Sequence, residues 1–122
     1  MRTILILFFL TTFAHASDRE LLYGEWGTKA QCARELITPK GTKLASPVEI
    51  KADWLGHGDV WCRLNWSNAI SESNGLFIAA HGLCGEDSVI NYRINFRLRG
   101  DKLTLTWNEW HKVGPLMRCE HQ

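Results

Sequence analysis

Net charge, proline and closely spaced cysteines are all scarce in this chain, and each shortage excludes something. The 122 residues carry 14 Lys or Arg against 13 Asp or Glu, a formal charge of +1. A nearly neutral chain has no general electrostatic pull toward nucleic acid or an anionic membrane, so no nucleic-acid partner is expected, although a local patch is left open. The four cysteines, Cys32, Cys62, Cys84 and Cys119, have no near neighbours among themselves. That rules out the close pairs of a zinc finger and the C-x-x-C of a redox enzyme, and no metal or cofactor is expected. HExxH, G-x-S-x-G and a glycine-rich phosphate loop are absent as well.

Long apolar runs are missing beyond the first residues. Arg2, the apolar stretch Ile4 to Leu10 with its weak extension through Phe13, and the small-x-small Ala14-His15-Ala16 read as a cleaved secretory leader over 1–16. The run is shorter than the roughly 20 apolar residues of a spanning helix, and no second one follows, so no stable membrane insertion is expected after cleavage. The remainder, 17–122, is 106 residues with 13 charges of each sign, a length that suits a single exported domain, periplasmic or secreted. In that setting four cysteines imply two disulfides. Three pairings exist; Cys32–Cys62 with Cys84–Cys119 is favoured, because each bridge then closes a separate segment.

The chain after the leader reads as short strands divided by glycine turns. From Ile90 to Leu98, apolar Ile90, Tyr92, Ile94, Phe96 and Leu98 alternate with Asn91, Arg93, Asn95 and Arg97, the period-2 mark of a half-buried strand. Gly100-Asp101 offers a two-residue turn, after which Leu103, Leu105 and Trp107 alternate with Thr104, Thr106 and Asn108. With Arg99 opposite Lys102, every apolar residue meets an apolar one, and a one-residue slip would separate them. Val48, Ile50, Ala52 and Trp54 form another alternating run, as do Val60, Cys62, Leu64 and Trp66. Leu76 to Cys84 is apolar at almost every position, consistent with burial on both faces. Thr28 to Gln31 fits a capping box opening a short helix near 29–36, with an irregular loop held by Cys32 as the alternative. The expectation is an all-β fold: a small antiparallel barrel or sandwich with a long C-terminal hairpin (about 88–99 and 102–110), two disulfides and at most one short helix.

Several landmarks occur in a recognisable order: Gly24-Glu25-Trp26, Cys32, Trp61-Cys62-Arg63-Leu64, Ala80 to Asp87, Gly100-Asp101-Lys102-Leu103 and Gly114 to Cys119. The order resembles a group of small exported alphaproteobacterial proteins, mostly without assigned function. The resemblance implies a periplasmic or secreted destination and carries no catalytic residues. The Gly-x-Trp start also resembles lipocalin-like barrels, including periplasmic protease inhibitors of that fold, in which the indole plugs one end.

Candidate chemistry is thin. His57-Gly58-Asp59 sets an imidazole near a carboxylate, but a loop between strands explains it equally well. His81 in the apolar strand reads as a structural histidine, and Glu86-Asp87 as a polar turn. Arg99-Gly100-Asp101 spells an adhesion tripeptide but is also an ordinary turn. Trp61 falls out of the apolar alternation and shares its face with Arg63 and Asn65. If that strand neighbours the Arg93, Asn95, Arg97 face, the six residues form an exposed Trp–Arg patch of the kind that anchors partners. The expected function is therefore a non-enzymatic exported binding or inhibitor-type module for a protein or envelope component. A secreted virulence effector is the alternative, and a small periplasmic hydrolase comes third.

Overall fold

A computed structural model describes residues 18–33, 46–58, 60–85 and 89–120. The stretch expected to be a leader (1–16), residues 34–36 of the helix expected near 29–36, Asp59, Glu86, Asp87 and the last two residues lie outside these ranges.

Nine strands form the body: β1 (Gly24–Gly27), β2 (Val48–Ile50), β3 (Trp54–His57), β4 (Val60–Trp66), β5 (Ile70–Glu72), β6 (Gly75–Cys84), β7 (Ile90–Arg99), β8 (Lys102–Trp107) and β9 (His111–Arg118). Every pairing is antiparallel, and the order runs β4-β3-β2-β1-β9-β8-β7-β6 before returning to β4. Eight strands thus close a barrel in which neighbours in sequence are neighbours in space. β5 lies outside this circuit, extending β4 along the edge of β6 after a one-residue change of register. Closure removes the unpaired edges that an open sheet of this length would present.

The long hairpin forms in the register expected: Arg99 faces Lys102, Leu98 faces Leu103, Phe96 faces Leu105 and Ile94 faces Trp107. Ile94, Phe96, Leu103 and Leu105 are wholly buried and fill the centre with Leu55, Ile50 and Ile78. Two strand expectations are corrected. Val48 to Trp54 is a hairpin and not one strand: the chain reverses over 51–53, with Lys51 N donating to Trp54 O at 2.8 Å. β6 buries only its even-numbered face; Phe77 and Ala79 are half-buried outside, and His81 and Leu83 are exposed. His81 is thus a surface residue.

One end of the barrel is shut. A 3-10 turn (Arg19–Leu22) crosses it, with Leu22 fully buried. Trp26 is 1% exposed and donates Nε1–H to Leu22 O at 2.9 Å. Arg118 lies across the indole, its guanidinium 4.3 Å from the ring centroid, and donates to Tyr23 O (2.7 Å) and Leu21 O. A cation on an aromatic face and two carbonyls satisfied by one fork fix the first and last strands together.

The Thr28 capping box is present: Gln31 N donates to Thr28 Oγ1 (3.2 Å) and Thr28 N to Gln31 Oε1 (2.7 Å). It opens helix α1 (Lys29–Cys32), which packs outside β1, where a Cβ on Gly27 would stand 2.9 Å from that of Gln31.

Two disulfides form, but in a different pairing from the one favoured by sequence. Cys62 and Cys84 are directly opposite on β4 and β6, with Cα atoms 4.1 Å apart, and Cys32 joins Cys119 at 5.0 Å. Barrel closure is the cause. It sets the end of β9 beside β1, where α1 carries Cys32, and Cys119 N donates to Glu25 O at 2.8 Å.

Candidate functional site

The end opposite Trp26, where β3, β6 and β8 finish, is open among the described residues. Inward-facing positions at the strand ends line it. Val60 continues the inward row of Cys62 and Leu64, Tyr92 that of Ile94 and Phe96, and Trp107 that of Leu103 and Leu105. Val113 faces Leu105, and His111 faces Trp107. With His57 at the end of β3, these side chains enclose a cup of about 450 Å³. Tyr92 and Trp107 meet edge to face at 5.8 Å, a favourable aromatic geometry that holds both rings in place. Trp110, 84% exposed, stands on the rim.

The rim is fixed by a tight turn. Three residues, 108–110, join Trp107 to its partner His111; Trp110 N donates to Trp107 O at 3.3 Å, and Asn108 and Glu109 between them both have positive φ, 49° and 72°. Asn108 N donates to Arg93 O at 2.8 Å, and Asn108 Oδ1 accepts from Arg93 N at 2.9 Å. His57 supplies the polar feature of the cup. Its Nε2 is shut away from solvent, without a hydrogen-bond partner among the described residues. Burial, and secondarily the charge of His111 beside it, holds its pKa below the ordinary 6.5, so the ring is neutral near pH 7. Among the described residues no cluster of three or more His, Cys, Asp or Glu is arranged to hold a metal.

The six residues singled out by alternation do face outward, but they do not form one patch. β6 pairs with both β4 and β7 and separates them. Trp61, 37% exposed, sits instead near Trp54, whose ring lies over Gly56, in a groove with Glu25 and Glu49. Arg63 and Asn65 line a second depression with His81, Leu83 and Asn91. On β7, Arg93 pairs with Glu109 at 3.7 Å, while Arg97 pairs with Glu72 at 3.1 Å and stacks on Phe77 at 5.0 Å. Asn95 Oδ1 is buried without a partner among the described residues. The indole that joins the arginine row is Trp110, which shares a groove with Arg97.

Sequence reasoning placed Trp107 in the core and did not single out Tyr92, Trp110, His111 or Val113. A signal existed: these residues cluster at the ends of the hairpin strands away from Gly100-Asp101, so that once the chain is a barrel they converge on one mouth. No protein-family model, curated protein or solved structure matches this chain. Fold and site define a closed eight-stranded meander barrel that is plugged at one end and, among the described residues, open at the other.

Proposed function

We propose that this protein is an exported, non-enzymatic binding module that takes a small, largely apolar ligand into the open mouth of its barrel. One observation carries the reading: inward-facing Val60, Tyr92, Trp107 and Val113 give a cup of about 450 Å³ an apolar and aromatic lining, with His57, Asn108 and His111 as the polar residues around it. Ligand pockets have this make-up, an apolar and aromatic lining of roughly 300–1,000 Å³ with a few polar groups that fix orientation. Two buried disulfide-bonded strands support export, since such bridges persist in oxidising compartments. Among the described residues, neither the cup nor the outer grooves bring together a nucleophile, a base and an oxyanion-stabilising group, which is why a binding role is preferred to hydrolysis.

The neutral dye N-phenyl-1-naphthylamine tests the cup. It should bind saturably, with quenching of indole emission. Val60→Trp, which fills the mouth, should weaken binding at least tenfold while the melting temperature stays within a few degrees of wild type. Dye binding that is undiminished in a folded Val60→Trp variant would sink the proposal.

A further inference from the structure

The outer face of β7, β8 and β9 carries a groove of about 560 Å³ whose walls include Arg97, Arg99, Lys102 and Lys112, with Thr104 and Thr106 on its floor. Trp110 rises at one end. Glu109 is the carboxylate in the lining, and it pairs with Arg93. Among the described residues, Arg99, Lys102 and Lys112 have no ion-pair partner. This concentration stands out because basic and acidic residues balance over 17–122.

The register makes the arrangement costly. Arg99 and Lys102 are directly opposite across the hairpin, and like charges in that position destabilise a sheet. Arg97 stands two residues from Arg99 on the same face, roughly 7 Å away along the strand. Thr104 faces Arg97, and Thr106 faces Lys112, so hydroxyl donors alternate with cations. Within this face β8 is paired on both sides, by β7 and by β9, so recognition here falls to the side chains.

We propose that this groove binds an acidic polysaccharide. Arginine forks and lysines take carboxylate, sulfate or phosphate groups. The threonine hydroxyls bond to sugar hydroxyls, and the exposed face of Trp110 stacks on the apolar face of a sugar ring. An anion bridging Arg99 and Lys102 relieves the repulsion that the free protein carries. The groove is distinct from the mouth cup, with which it shares only the rim residue Trp110.

The test titrates polygalacturonate into the purified, disulfide-bonded protein, with neutral dextran and a single-stranded oligodeoxynucleotide as parallel arms. Polygalacturonate should bind, with affinity falling as salt rises, and dextran should not. Lys102→Thr should weaken binding at least fivefold and raise the melting temperature of the free protein, because it removes the opposed charge. Trp110→Ala should weaken binding severalfold without changing the salt dependence. Lys51→Ala, with the same charge change on a strand away from the groove, should leave binding within twofold of wild type, and Val60→Trp should do the same. The proposal is overturned if Lys51→Ala weakens binding as much as Lys102→Thr, if the oligodeoxynucleotide binds more tightly than the polyuronate, or if no polyanion binds.

Discussion

His57 ends β3 with its ring turned into the barrel mouth, and its chemistry follows from that position. Burial and the nearby His111 make protonation harder in the folded protein than in the unfolded chain. Above about pH 6.5 the ring is neutral in both states, so it adds no pH dependence. Below that value the unfolded chain takes up a proton that the folded protein resists, so stability falls until the pH reaches the depressed folded value, and then levels. His57→Gln should flatten this segment of a melting-temperature profile recorded from pH 8 to pH 5 and leave the pH 8 value almost unchanged. An equally steep decline in the variant would show that other groups govern it. The same residue marks how far a sequence can be read. His57 was visible as an imidazole beside a glycine turn, but its partner in the site, His111, lies 54 positions away and is brought close only by the fold. Arg118 makes the same point. The terminal Arg-Cys was a landmark, yet its seat on Trp26 depends on β9 returning to β1.

Strands were legible where one face alone is apolar. The β7–β8 pairing could be written down residue by residue because Leu98, Phe96 and Ile94 each require an apolar partner across the turn. The run from Val48 to Trp54 misled because its alternation continues through a reversal that has no glycine or proline to mark it, and Trp54 ends on the outer surface over Gly56. β6 misled for a different reason. Phe77 and Ala79 face outward but are half covered, Phe77 beneath Arg97, so apolar residues occur on both sides of a strand that has one buried face. The start of β6 is also where backbone approach is closest. A Cβ on Gly75 would lie 1.7 Å from Leu98 O, and a backbone atom cannot swing aside. Gly75→Ala should therefore displace the paired ends of β6 and β7 and destabilise by about 1–3 kcal/mol, the range for overfilled cores. Urea unfolding followed by tryptophan emission measures it, and an unchanged midpoint would show that the hairpin end accommodates the methyl group.

At the scale of the whole molecule, the barrel closes twice over, through hydrogen bonds between β1 and β9 and through Cys32–Cys119 beside them. Even cysteine number and wide spacing were enough to expect two bridges, but not their partners. Pairing by separate segments assumes that nearby residues in sequence are nearby in space, and a closed sheet breaks that assumption where its ends meet. The two bridges consequently differ in what they constrain. Cys32–Cys119 ties residues 87 apart, and Cys62–Cys84 ties residues 22 apart within its span. In the chain-entropy account these loops correspond to about 4.6 and about 3.4 kcal/mol. Strand pairing already aligns Cys62 with Cys84 through five consecutive partners, whereas α1 has little besides its bridge to hold it against β9. Replacing both Cys32 and Cys119 with alanine should thus lower the denaturation midpoint more than replacing Cys62 and Cys84 with alanine, despite the deeper burial of the latter pair. Chemical unfolding of the two double variants, each with its remaining bridge intact, decides the order. A larger loss from the Cys62–Cys84 pair would mean that packing inside the wall, and not closure of the barrel, is the main contribution of the disulfides.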